Sequence, residues 1–411
     1  MAKINIFVTH LDRTRFSGGI LCVLQYGKGL VKKGHTVRII PMRPSDRPLW
    51  IEGNFGWLPA EDWSDLLKTI AWSVGQIVKP SNFKRRNRKA LKKAVNVLAA
   101  QLAFLCIKFL PSDIQKGVSV EYVRYLLARY DCAADVTVAT AFETAMPVYL
   151  YGTGKKFYFA QHFEPLFSID FEDSARVERE ALLSYKLGLK LIANSSWLKE
   201  RIRSEVGVDA QLCPNAIDQE VFRGDVKTLE SGVSIRIISY GGRGARWKGF
   251  GEMAQAVRIA RTKLGDSALR WFVYGQCELE PDNDIAPFEQ LGFLAPKQLA
   301  EAYRSCDILL SASWYESFPL FPLEAMACGL AVITTASGTE EFAFHGISAE
   351  IVQARDPDNI AEAIVKLTQD AGYRKQIAIG GKEVAKKFTW DAAVSRMETI
   401  LMNSADSESL V

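Results

Sequence analysis

The sequence predicts an α/β protein of two doubly wound domains, and three observations carry that expectation. At 411 residues the chain exceeds the span of one ordinary core. Near its start a strand, Gly18-Gly19, a helix and a second strand follow one another, as in one half of a doubly wound unit. From Ser234 onward a strand, a Gly-rich loop and a helix open the same succession again. Apolar residues make up 48% and charged residues 24% of the chain, the balance of a soluble globular protein.

Taken in order, Lys3–His10 reads as a buried strand and not as a secretory leader. Gly18 and Gly19 then open a helix that runs to about Lys33. Glycines at a helix start let backbone N–H groups approach a phosphate with the help of the dipole, although such a turn is equally a tight connection. Gly34-His35 ends this helix, and Thr36–Pro41 forms the second strand. Pro44–Ala60 turns to Trp, Pro and Gly and predicts an irregular excursion, followed by a helix over Asp65–Val78.

A basic block, Lys84–Lys93, leads into the apolar stretch Ala94–Leu110. Asn96, Gln101 and Lys108 interrupt that stretch, so it does not span a bilayer. A basic block ahead of an apolar helix fits peripheral contact with anionic lipid, at about 1 kcal/mol per basic side chain; the alternative is a core helix whose exposed turns are basic. Residues 1–110 carry 19 Lys/Arg against 6 Asp/Glu and the remainder 32 against 41, which points to an anionic partner for the first half. Nucleic acid is disfavoured, because no aromatic residues interleave the basic ones.

Val120–Tyr130 reads as helix, Asp135–Thr140 as strand, and the residues after it as helix. Lys156–Ala160 is a strand that delivers Gln161-His162-Phe163-Glu164 to the sheet edge. A histidine there can donate to a sugar hydroxyl or a developing charge, or simply bond to backbone. A Glu-rich helix over 177–187 and the strand Leu189–Asn194 follow, with Ser195 or Asn194 capping the next helix.

In the second half, Ser234–Tyr240 is a strand leading into a loop that holds Arg243 and Lys248. A forked guanidinium and a point ammonium together grip phosphates and stabilise charge on a diphosphate leaving group; an exposed basic loop is the plainer account. Arg270–Gly275 and Ile308–Leu310 are strands, with a helix over 296–305 between them. A loop with two prolines, a helix from about Pro322 to Cys328 closed by Gly329, and the strand Ala331–Thr334 follow. Helices over Asp356–Gln369 and Tyr373–Phe388 come next. Glu316 lies in the loop at the ligand-binding edge and Glu324 on the short helix. Carboxylates accept from vicinal hydroxyls, so the pair points to sugar or ribose diols. The seven cysteines are scattered and read as reduced thiols; none has metal-ligand spacing with one of the four histidines.

Glu316, seven residues, then Glu324 with Ala-Met-Ala-Cys-Gly329, resembles the signature of the retaining GT-B glycosyltransferases of family four. The resemblance implies two facing Rossmann-like domains with an interdomain cleft. It assigns Glu316 to donor-sugar hydroxyls, Glu324 to the nucleotide ribose, and Arg243 with Lys248 to the diphosphate. By the same resemblance Gly18 and Gly19 approach the diphosphate and His162 the donor sugar. Phe293 and Leu294 meet the nucleobase, and Ser317, Phe318 and Pro319 fill the signature beside the donor. Pro214–Asp218 and Thr389-Trp390-Asp391 match the family's domain crossings, giving domains at 1–215 and 216–390 with a final helix over 391–405 returning to the first.

Gln161–Phe167 is similar to a branch that builds bacterial surface polysaccharides and includes rhamnosyltransferases. That branch has Asp where His162 stands, which leaves the donor sugar open. The expected partners are a nucleotide sugar and a glycan or polyprenol-linked acceptor, with residues 84–110 touching an anionic membrane. No metal or other cofactor is implied, because basic side chains take its place. The expected location is cytoplasmic, at the inner face of the inner membrane. A phosphorylase or epimerase of the same fold, or a non-catalytic polysaccharide-assembly partner, are the other classes. Residues 46–130 have no counterpart and are the expected acceptor-specific region.

Overall fold

The apolar run at the N-terminus forms strand β1 (Lys3–Val8), whose last five residues are buried. It lies mid-sheet, parallel to β2 (Thr36–Pro41) on one side and β4 (Val136–Ala139) on the other. A strand covered on both faces needs apolar residues in succession rather than alternation, which is why these strands read so clearly. The computed structural model describes residues 1–9, 18–42, 56–57, 74, 78, 95, 98, 133–170, 173–227, 234–242, 245–275 and 286–403. Contacts divide the chain into two compact units: Met1–Ile192 with Ile202–Gln211 and Val394–Val411, and Ala193–Arg201 with Leu212–Ala393.

The first sheet runs β3-β2-β1-β4-β5-β6-β7, with β3 at Gly56–Trp57, β5 at Lys155–Ala160, β6 at Lys190–Ala193 and β7 at Ala210–Leu212. Strand β3 corrects the expectation of a wholly irregular excursion: Gly56 pairs with Arg38 at the sheet margin. Two residues are too few to show a periodicity. The helices are α1 (Gly18–Lys32), α2 (Phe142–Tyr151), α3 (Ser174–Tyr185) and α4 (Ser196–Val206). Helix α3 starts three residues before the predicted start because Asp173 accepts the N–H of Arg176 and caps it. Ser195 caps α4 by accepting the N–H of Leu198 at 3.0 Å.

The expected helices over 65–78 and 120–130 and the segment 84–110 lie outside the described residues, apart from positions 74, 78, 95 and 98. Among the described residues no helix is long and apolar enough to cross a membrane. The final helix, Trp390–Asn403, contributes its later turns to the first unit. There His35 accepts the N–H of Ala2 on Nδ1 (3.2 Å), which leaves its Nε2–H to donate to Glu398 (2.9 Å). Lys33 reaches the other oxygen of that carboxylate at 2.8 Å.

The second sheet is parallel throughout, in the order β10-β9-β8-β11-β12-β13. Its strands are β8 (Ile235–Tyr240), β9 (Leu269–Tyr274), β10 (Glu289–Gly292), β11 (Ile308–Ser311), β12 (Ala331–Thr335) and β13 (Glu350–Val352). Winding reverses between β8 and β11, which puts a crevice at their carboxyl ends. Helices α5 (Phe250–Leu264) and α8 (Pro357–Gln369) cover one face over Trp271, Ile308 and Ile333. Helices α6 (Pro296–Ser305) and α7 (Leu320–Ala327) cover the other over Tyr303, Leu309 and Met326. Helix α7 begins two residues before the predicted Pro322, since a proline in the first turn lacks only an N–H that has no partner there. It ends as predicted: Leu330 N–H reaches Ala325 O at 3.1 Å and Gly329 N–H reaches Met326 O at 3.0 Å. Helix α9 (Ala371–Ala385) starts early because Asp370 accepts the Tyr373 N–H at 2.8 Å.

Candidate functional site

Strand β8 ends at Tyr240, and the loop after it closes in a 3-10 turn, Arg246–Lys248, that finishes at Gly249. Gly249 has φ 72°, and a side-chain carbon there would stand 2.1 Å from the carbonyl oxygen of Ala312. Only glycine lets this loop lie against the end of β11. The loops are stitched where Trp314 N–H donates to Trp247 O at 2.8 Å. Trp314 is itself held by Glu252 at 3.0 Å and lies under the Arg355 guanidinium, 3.9 Å from its ring centre.

This close approach brings two of the sequence-predicted site residues together. Lys248 Nζ lies 2.5 Å from Glu316 Oε1, and Ser313 Oγ donates to the same oxygen at 3.0 Å. Glu316 is 8% exposed, so the pair sits in a partly dry recess where a charge attracts more strongly than in water. Aromatic rings surround the ammonium, with centres at 4.1 Å (Trp247), 5.2 Å (Phe321) and 6.0 Å (Tyr240). Behind them Gly338, at φ 77°, lies so close to the Glu316 and Ser317 carbonyls that a side chain would overlap both.

Glu324 follows one turn after Phe321 on α7 and is buried. No side-chain hydrogen bond holds its carboxyl among the described residues, and burial pushes its pKa up to about 8. Its charge adds to the burial that raises Tyr274 and Tyr303, whose hydroxyls meet at 2.8 Å. A buried carboxyl to which no described residue donates is able to accept hydroxyl hydrogen bonds.

The other predicted positions divide. Ser317 donates to Asn194 Oδ1 and lies 3.5 Å from Ser195 Oγ, so its hydroxyl is engaged within the protein. Phe318 turns its ring into the core against Phe342 (5.4 Å) and Phe388 (5.8 Å), leaving only backbone for a ligand. Pro319 is the buried N-cap residue of α7. Phe293 is 50% exposed just past β10, while Leu294 packs on the core. Arg243 lies outside the described residues. Also among these residues, no three His, Cys, Asp or Glu side chains gather as a metal site requires.

In the first unit, β5 delivers His162 to the carboxyl edge, where it is buried and stacked on Phe167 at 4.3 Å. Gly18 and Gly19, the first residues of α1, belong to the same edge: a side-chain carbon on Gly19 would touch the Gln161 side chain at 3.6 Å. Beneath it lies a network with no sequence signal beyond the Glu of Gln-His-Phe-Glu. Tyr185 donates to the His162 carbonyl at 3.1 Å and accepts the Glu164 N–H at 3.3 Å. Glu164 accepts the Phe142 N–H at 2.9 Å and bonds to the Tyr158 hydroxyl. Burial pushes the Glu164 pKa up to about 8, with the Tyr158 bond opposing.

Residues 235–370, nearly the whole second sheet and its helices, match the family Glycosyl transferases group 1. The O-antigen biosynthesis protein RfbC of Myxococcus xanthus is 25% identical over 306 residues, which are 72% of this chain but 24% of that protein. The chain therefore corresponds to about a quarter of that relative's length. Sucrose-phosphate synthase from Thermosynechococcus elongatus superposes with a TM-score of 0.67 at 17% identity, covering 97% of this chain and 98% of that one. Anabaena HepE, solved in complex with UDP-glucose, superposes at 0.59 with 14% identity, covering 98% and 100%. Residues 235–370 thus resemble the glycosyl transferases group 1, and the chain as a whole has the GT-B fold of these solved structures.

Proposed function

We propose that this chain is a retaining glycosyltransferase that moves a sugar from a nucleoside-diphosphate sugar to a glycan or lipid-linked glycan in surface-polysaccharide assembly. The observation that carries this reading is the meeting of Lys248 and Glu316 at 2.5 Å, with the buried Glu324 on the helix that follows. Lys248, with Arg243 from the same loop, draws charge onto the departing diphosphate. Glu316 accepts donor-sugar hydroxyls and Glu324 the ribose diol, while the backbone at Phe293 and Leu294 faces the base. His162 and the Gly18–Gly19 turn serve the sugar and the diphosphate in the same reaction.

Basic side chains do the work of a metal, so the reaction runs without one and without a further cofactor. The acceptor proton passes to the donor phosphate, and retention follows from the Glu316–Glu324 signature. RfbC supports a polysaccharide setting, and HepE supports the donor class. Residues 84–110 give the protein its hold on an anionic membrane, at the cytoplasmic face.

The test is a thermal-shift screen of UDP, ADP, GDP and dTDP and their sugars, since a tight binder raises the melting temperature by linkage. Turnover is then measured with the best donor. Lys248→Ala is expected to cut it by more than about tenfold, and undiminished turnover removes the assignment.

A further inference from the structure

Lys248 carries its charge on a flexible stem, so something must fix where the ammonium stands. Glu316 does so in this structure. On the reading above, however, Lys248 turns to the diphosphate when a nucleotide binds, and the hold of Glu316 on it weakens. Of the three rings around the ammonium, Trp247 is the nearest and the best placed to take over. Its ring centre lies 4.1 Å from Lys248 Nζ, well inside the range at which a cation is attracted to an indole face.

Trp247 is itself held from two directions. Its carbonyl accepts the Trp314 N–H at 2.8 Å, and its ring stacks on Tyr315 at 5.2 Å with the planes 10° apart. Trp247 directly precedes Lys248, and Tyr315 directly precedes Glu316. The stacked rings thus tie together the two loops that carry the charged pair.

We propose that Trp247 is a positioning residue for Lys248: its face, braced by Tyr315, keeps the ammonium at the sheet edge for the diphosphate of the donor. The proposal rests on the assignment of Lys248 to that diphosphate. Attraction to a cation is strongest for indole, weaker for phenyl and absent for an aliphatic group, so a graded series isolates it from packing.

The full chain is titrated calorimetrically with UDP and UMP (or ADP and AMP, whichever pair binds) in wild type, Trp247→Phe, Trp247→Leu and Lys248→Ala. The quantity read is the gain in affinity from monophosphate to diphosphate. Trp247→Leu is expected to reduce that gain by about tenfold and Trp247→Phe by about threefold. Monophosphate affinity is expected to stay within about twofold. A wild-type gain in Trp247→Leu, with the gain lost in Lys248→Ala, overturns the proposal and leaves the function standing. Equal loss of both nucleotides also overturns it, since the ring is then only structural. An undiminished gain in Lys248→Ala overturns the assignment beneath it. Should Trp247→Leu fail to fold, Trp247→Phe and Tyr315→Leu decide the same question.

Discussion

Lys248 and Glu316 stand on loops that leave neighbouring strands of one sheet, and at 2.5 Å each satisfies the other's charge. A ligand that uses both competes with this pairing. Glu316→Gln removes the competing acceptor from Lys248, so diphosphate affinity is expected to hold or rise by a few-fold. Turnover with a nucleotide sugar is expected to fall by more than about tenfold, because the sugar loses a charged acceptor. Calorimetry and initial rates measure the two sides; a parallel fall in both contradicts the idea of competition.

Glu324 makes stability depend on pH in a direction opposite to that of a salt-bridged carboxylate. Its ordinary value is 4.5 and burial holds it at about 8 in the folded chain. Below the ordinary value both states are protonated and the group contributes nothing. Between the two values the unfolded chain releases the proton and the folded chain keeps it, so stability falls as pH rises, by up to about 1.4 kcal/mol per unit. Glu324→Gln is therefore expected to melt at a higher temperature than wild type at pH 8 and at nearly the same temperature at pH 4.5. An equal difference at both ends would count against an uncompensated buried carboxyl.

The Tyr185 hydroxyl bridges two backbone groups, the Glu164 N–H and the His162 carbonyl. Tyr185→Phe preserves the ring stacking on Tyr158, at 5.4 Å and 11°, and strands both groups. The expected cost is about 1–3 kcal/mol, read from urea midpoints at constant slope. If His162 serves the reaction, kcat falls as well, because its loop loses an anchor.

Gly249→Ala places a carbon 2.1 Å from a backbone oxygen at a residue whose φ is 72°. The left-handed backbone alone costs an alanine about 1–2 kcal/mol, and the overlap forces the Lys248 loop off the end of β11. Loss of diphosphate binding at least as large as that of Lys248→Ala is the expected result. Wild-type binding would show that the two loops need not touch.

Several of these features were legible beforehand, and the reasons differ. Ile308–Leu310 and Val136–Ala139 announced themselves because buried parallel strands are apolar on both faces. Gly329 marked the end of α7 because the left-handed turn there excludes most side chains. Helix starts were less visible: Asp173, Asp370 and Pro319 moved three of them two or three residues upstream, and caps lie outside the apolar periodicity. Phe318, assigned to the donor on its place in the signature, has its ring in the core, since the pattern names a position and not a direction. The bonding of Glu164 to Tyr158 and Tyr185 was not legible, because it spans separate elements.

By itself the sequence determined the two windings of strand and helix, the family signature from Glu316 to Gly329, and which residue types stand at the sheet edge. These are local matters of burial, turn chemistry and spacing. The tertiary structure decided that Lys248 faces Glu316, that Trp247 stacks on Tyr315, and that Glu324 has no donor among the described residues. Each depends on β8 and β11 lying side by side although dozens of residues separate them in the chain. That adjacency is a property of the crossover, and no short stretch of sequence contains it.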